Sequence, residues 1–210
     1  MCPGLLPGNG SLLAPFIDRI KDLYDAMDRA YSGAAAVYGF QCPGCAENCC
    51  EERFFHYTLV EHAYFMKGFY SLSGVYRSLI FQKAGDVLGR YAAQDQRPGM
   101  RVMCPLNFNG LCSLYEYRPM ICRLHGIPHR MKKEDGPEQG FPGCHEFETH
   151  IAPGKREDAV FDRTEFYSAM AAIEIDLRRT LDFRGSYKKT VAAMIADMKN
   201  PGHFLLKHLL

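Results

Sequence analysis

An excess of charge of either sign is missing from this chain. Its 210 residues hold 25 Lys and Arg against 24 Asp and Glu, a formal net charge of +1. No global field therefore draws it toward nucleic acid or an anionic membrane surface. Long apolar runs are missing too, and with them any stretch of membrane-spanning length. The opening MCPGLLPGNG has no basic segment and an apolar run of only Leu5-Leu6, so it does not read as a secretory signal. There is no strand-flanked G-x-G-x-x-G and no P-loop, hence no nucleotide fingerprint. Alternating strand patterns are scarce. These absences favour a cytoplasmic, mainly α-helical protein with no membrane partner, and nucleic acid is not an expected partner.

Helical periodicity is abundant. Over residues 11–38, Leu13, Phe16, Ile17, Ile20, Leu23, Tyr24, Met27, Tyr31 and Ala34 recur at three- and four-residue steps, with Gly39 as a stop. Thr58-Leu-Val-Glu61 reads as a capping box opening an aromatic-rich helix. A break at 71–74 precedes a second run carrying Val75, Tyr76, Leu79, Ile80, Val87 and Leu88. Residues 96–150 hold six prolines, which exclude long helices. Helix returns over 162–200: Asp162-x-x-Glu165 looks like a cap, followed by the stripe Phe166, Met170, Ile173, Leu177 and Leu181. Ser186 is placed to cap a last helix that ends at Asn200-Pro201-Gly202. The expectation is a single domain, residues 1–210, with helices around an irregular cysteine-rich knuckle and few or no strands.

Cysteine is abundant as well. Eight of the nine cysteines fall in two blocks, Cys42, Cys45, Cys49, Cys50 and Cys104, Cys112, Cys122, Cys144. Disulfides need an oxidising compartment and fit poorly with an odd count. A thioredoxin-type redox pair needs a βαβ context that is absent. A C-x2-C turn points two thiolates at one ion, and the repeated triplet Pro-Gly-Cys at 43–45 and 142–144 suits a metal knuckle. Seven Lys and Arg between Arg97 and Lys133 stand against one acid, Glu116, a balance that would offset thiolate charge. All eight cysteines are therefore expected to be metal ligands. His125 and His145 are spare ligand candidates, whereas Cys2 is not expected to ligate. His62 is expected to be helix surface or core edge. The string His145-Glu-Phe-Glu-Thr-His150 has one residue too many for a zinc-protease motif.

These blocks resemble the YkgJ-type CxxCxxCC cysteine-cluster family, described as zinc- or iron-chelating domains. The resemblance is carried over residues 42–144 by Cys104-Pro105 and by Gly110-Leu-Cys112-Ser-Leu-Tyr115-Glu-Tyr-Arg118-Pro119-Met-Ile-Cys122-Arg123. The first block is one residue longer than the family's pattern, Cys42-x2-Cys45-x3-Cys49-Cys50. The resemblance implies zinc or iron, including a [4Fe–4S] cluster, held by the eight cysteines. It also implies Arg118 and Arg123 as donors to thiolates and Pro119 as the residue that turns Cys122 back toward Cys112. A structural, redox or metal-handling role would follow, with metal ions and a protein as partners. The second reading is a protein-modifying enzyme resembling the S-adenosylmethionine-dependent lysine N-methylases. The sequence does not decide whether the protein is an enzyme.

Overall fold

A computed structural model of the chain describes residues 11–42, 49–94, 101–132, 136–151, 161–200 and 202–209. It is mainly helical. Helix α1, Ala14–Tyr38, starts with a proline in its first turn and stops where Gly39 takes a left-handed φ of 66°. That conformation lets the Gly39 N–H reach the carbonyls of Ala35 and Ala36. Its buried stripe is Phe16, Ile17, Ile20, Tyr24 and Met27, continued by Ala35 and Tyr38.

Helix α2, Leu59–Ser71, begins at the expected capping box. Thr58 accepts the Glu61 N–H, and its hydroxyl donates to Glu61 Oε2 at 2.7 Å. Ten of its thirteen residues are buried, so α2 is the central helix rather than an amphipathic one. Helix α3, Gly74–Gln94, follows a two-residue break. Ile80, Ala84 and Val87 enter the core, but Val75 is 83% exposed, and Tyr76 and Leu79 also face out. The apolar stripe read along α3 is thus only partly core.

Between α3 and α6 lie short pieces, as the prolines require. Strands β1, Asn107–Phe108, and β2, Leu111–Cys112, form an antiparallel pair. A 3-10 turn, Tyr115–Tyr117, leads to α4, Met120–Leu124, which starts directly after Pro119. Strand β3, His129–Lys132, pairs antiparallel with β4, Glu138–Phe141, and parallel with β5, Phe161–Asp162. Helix α5 is His145–His150.

Helix α6, Thr164–Thr180, buries Met170, Ile173 and Leu177 as its stripe predicts. Its start is offset: Asp162 lies in β5 and accepts the Thr164 N–H at 2.9 Å. The next helix, α7, Val191–Asp197, is capped by Thr190, whose hydroxyl accepts the Ala193 N–H at 3.2 Å, and not by Ser186. A further helix, α8, Phe204–Leu209, follows the Asn-Pro-Gly stop. The buried residues form one core, from Leu13 to Leu206. Within it α1 packs on α2, α4 and α6, α2 on α6 and α8, and α3 on α7. No described helix is long and apolar enough to cross a membrane.

Candidate metal centre

Consecutive residues of α2 face in two directions, because successive helical side chains are about 100° apart. Glu61 faces α1 and α4: Tyr24 Oη donates to its Oε1 at 3.1 Å and the Met120 N–H at 2.8 Å. His62 faces α7 and is wholly buried, with Nε2 3.2 Å from the Met194 carbonyl. A carbonyl only accepts, so Nε2 carries the proton and Nδ1 presents a lone pair. Nδ1 is buried and has no hydrogen-bond partner. Burial holds the His62 pKa down to about 3, with His203 adding to the effect, so the ring is neutral at physiological pH.

Two side chains from the far end of the chain meet this lone pair. Asp197 is the last residue of α7, and His203 sits in the turn between α7 and α8. That turn is closed by the Gly202 N–H on Asn200 Oδ1 at 2.9 Å. One ligand atom from each of His62, Asp197 and His203 can be chosen so that all lie within 4.8 Å of one another. The rings of His62 and His203 are 5.4 Å apart, and the Tyr187 ring is 6.0 Å from His62.

The polar atoms here are under-satisfied to an unusual degree. His62 Nδ1, His203 Nδ1, Asp197 Oδ2 and the Tyr187 hydroxyl are all buried without a hydrogen-bond partner. Buried polar atoms in folded proteins are nearly always paired, so the open Nδ1 of His62 beside Asp197 and His203 marks a candidate ligand site. Lys189 donates to Asp197 Oδ1 at 3.0 Å. Its ammonium also lies 2.8 Å from Oδ2, which is ion-pair proximity, but it is not aligned to donate there. Burial works against the Asp197 carboxylate, yet His203 and Lys189 outweigh it and hold its pKa below the ordinary range. Burial, then the Asp197 charge, pushes the Tyr187 hydroxyl far up, so it stays protonated.

The geometry suits a small divalent cation. A tetrahedral ion with bonds of about 2.0–2.1 Å separates its ligand atoms by roughly 3.3 Å. His203 Nε2 and Asp197 Oδ2 are 3.4 Å apart. His62 already has the arrangement found in metal-bound histidines, one ring nitrogen fixed by a backbone carbonyl and the other open. Three protein donors leave a fourth position for water.

The cysteines are arranged otherwise. Cys45 lies outside the described residues, as does Cys2. The other seven expected ligands, Cys42, Cys49, Cys50, Cys104, Cys112, Cys122 and Cys144, line one cavity of about 220 Å³ together with Arg118, Pro119, Arg123 and His125. The two sequence blocks therefore do meet. Among the described residues, however, no three cysteine sulfurs lie within 4.8 Å of one another, and the group that meets that distance is His62, Asp197 and His203. The expectation of zinc, iron or a [4Fe–4S] cluster chelated by eight cysteines is corrected accordingly, as is the expected cysteine-rich metal knuckle.

Individual sulfurs have local tasks. Cys144 Sγ accepts the Phe147 N–H at 3.5 Å and caps α5. Burial pushes Cys104 up to about 12 and Cys122 well above the ordinary thiol value, so both are thiols rather than thiolates. The hydrogen bonds shown for the two arginines all end on oxygen. Arg123, buried, donates to Asp28 and to the Glu116 carbonyl, and lies 4.2 Å over the Tyr24 ring. Arg118 donates to the Tyr115 carbonyl at 2.9 Å and reaches Asp28 at 3.5 Å. Pro119 follows the 3-10 turn Tyr115–Tyr117 and opens α4, and Cys122 lies on the cavity wall. His125 stands in that wall 5.5 Å from the Phe54 ring, while His145 is exposed beside Thr149.

No family model matches the chain, and no curated protein or solved structure matches it. The resemblance to the CxxCxxCC family is therefore not upheld: the first block departs from the family spacing, and the metal geometry lies elsewhere. The methylase-like reading, which rested on the same resemblance, falls with it. Sequence reading missed all three residues of the His–Asp cluster. Asp197 and His203 are 135 and 141 positions beyond His62 and follow no ligand-spacing motif. A histidine in the most apolar helix was the one available signal.

Proposed function

We propose that the protein binds one divalent first-row transition-metal ion through His62, Asp197 and His203. The ion joins the α7–α8 turn to the central helix α2. The observation that carries this reading is that one ligand atom from each of His62, Asp197 and His203 lies within 4.8 Å of the others. Imidazole and carboxylate donors suit such ions, and a carboxylate offsets part of their charge. Lys189 supplies the opposing charge in the metal-free protein. On loading it keeps Oδ1 and leaves Oδ2 to the ion.

The role proposed is structural, since the ion would tie the α7–α8 turn to the central helix α2. The proposal also places the protein in the cytoplasm as one domain. The single continuous core supports one domain, and the abundance of cysteine in a chain large enough to fold without disulfides suits a reducing compartment. The cysteine-lined cavity is a second candidate site, for thiol chemistry.

Cobalt(II) is the test ion because its spectrum distinguishes donors. Stoichiometric uptake with d–d bands and no thiolate charge-transfer band is expected. Uptake is lost in His203→Ala and in Asp197→Asn. At a hundredfold excess over Kd the ion adds about 2.7 kcal/mol of stability, read as a higher Tm. Absence of uptake, or an intense sulfur charge-transfer band, would overturn the assignment.

A further inference from the structure

Helix α3 carries two glycines that the fold of one chain does not explain. Gly85 and Gly89 lie in the body of the helix, where glycine is less stable than alanine. Neither has a positive φ, and a Cβ on either would meet no described atom within 4 Å. Among the described residues, therefore, neither a turn nor a close neighbour requires the missing side chain. Both glycines are exposed, on the face of α3 opposite its core residues Ile80, Ala84 and Val87. The same outward face carries Val75 and Leu79, the large apolar residues that the core leaves uncovered.

Bulk and gap are placed symmetrically along this face. Gln82, also exposed, is seven residues from both Val75 and Gly89, and three residues from both Leu79 and Gly85. Steps of four, three, three and four residues keep all five positions on one side of a helix. We propose that two copies of this chain pair through α3, antiparallel, across a two-fold axis at Gln82. Val75 of each copy then fills the gap over Gly89 of the other, and Leu79 fills the gap over Gly85. Such a contact is isologous, one surface serving both partners.

A second copy is the occupant because the helix supplies both halves of the fit. A foreign helix would not require side chains and gaps of α3 to be equidistant from one residue. Glycine at the crossing lets two helix axes approach to roughly 8 Å, the close end of ordinary packing. Charge agrees with the antiparallel sense. The positive end of each helix dipole lies beside the negative end of the other. Exposed Arg90 of one copy comes within a turn of the level of exposed Tyr76 of the other, on the same flank, where a cation can meet the ring face. The stripe offers fewer residues than the 20–30 a side of a standard interface, so the dimer is a weak one, with a Kd of about 10–100 μM.

Sedimentation velocity of the full-length, metal-free protein across about 5–500 μM tests this, with a reversible monomer–dimer equilibrium expected. Gly89→Val sets one side chain against another and should raise Kd at least about tenfold. That substitution adds a side chain in open space on a helix, so the fold should hold and Tm should not fall. Exchanging the pair, Val75→Gly with Gly89→Val, keeps the complementarity and should return Kd to within about threefold of the wild-type value. A wild-type chain that stays monomeric throughout would overturn the proposal. So would a dimer indifferent to Gly89→Val, or an exchanged pair that does not recover. A monomer that instead sediments with phosphatidylserine vesicles would assign the face to a lipid surface. None of these outcomes decides whether His62, Asp197 and His203 hold a metal.

Discussion

The His–Asp cluster and the cysteine-lined cavity are assembled in opposite ways. The cysteines are concentrated in sequence, four of them within residues 42–50, yet the seven described ones spread over the wall of a cavity. The cluster residues are scattered over 141 positions, yet their ligand atoms converge within 4.8 Å. Density along the chain records how often a residue type occurs. Convergence in space records what the packing of α2 against α7 and α8 demands. A metal needs the second, because each donor must reach the same point with its lone pair open.

Glu61 and His62 separate the two regions, so substitutions on α2 should divide them. Glu61→Ala is expected to have the largest effect. The carboxylate accepts from Tyr24, Thr58 and the Met120 N–H, and its loss strands buried donors at the start of α4. A cost of about 3 kcal/mol is expected from urea unfolding. The thiols of Cys122 and Cys112 should alkylate faster, while cobalt uptake is retained. Loss of both together would mean that the two regions form one unit.

Gly68→Ala presses on the same side less severely. A Cβ at Gly68 would stand 2.2 Å from Cγ of the Tyr117 ring, which itself packs 5.0 Å from the Tyr64 ring. The ring must move, and the 3-10 turn before α4 moves with it, at a cost of about 1–3 kcal/mol. Differential alkylation should again change in the cavity and leave the His–Asp cluster alone.

The part of the molecule legible in the sequence is the part governed by local rules. The Thr58–Glu61 box, the Gly39 stop and the stripes of α1 and α6 depend on residues within a turn of one another, and these were readable. Thr190 in place of Ser186 as the cap of α7 was a matter of competing local signals. The exposed start of α3 was not legible, because Val75 and Leu79 keep helical spacing whether or not a partner covers them. The convergence of His62 with Asp197 and His203 depends on where α7 and α8 dock, which no spacing rule encodes.

A pH titration sharpens the comparison from the histidine side. His62 faces Tyr187, His203, Asp197 and Lys189, and burial lowers its pKa to about 3. Above its unfolded value of about 6.5 there is no difference in bound protons and no effect on stability. Below that, the unfolded chain binds a proton that the fold refuses. Stability of the chelator-treated protein should therefore fall between about pH 6.5 and pH 3, by up to about 1.4 kcal/mol per pH unit for this group. His62→Leu should remove that share of the slope. The share left by His56 and His129, also lowered by burial, should remain.

The smallest effect tests the charge balance at Asp197. In the metal-free protein Lys189 is the cation that the carboxylate has, and the pair is only partly exposed, 32% and 21% at the two side chains. A metal ion must compete with it for Oδ2, so Lys189→Met should tighten metal binding while weakening the metal-free fold. A partly exposed pair is worth about 0.5–1 kcal/mol, which corresponds to roughly a two- to fivefold lower Kd for cobalt. The backbone ladder between Lys189 and His56, with N–H to carbonyl distances of 2.9 and 2.8 Å, does not involve the side chain and should survive. Lower stability with unchanged metal affinity would mean that Lys189 belongs to the resting ion pair alone. Tighter binding would show that lysine and metal share one oxygen.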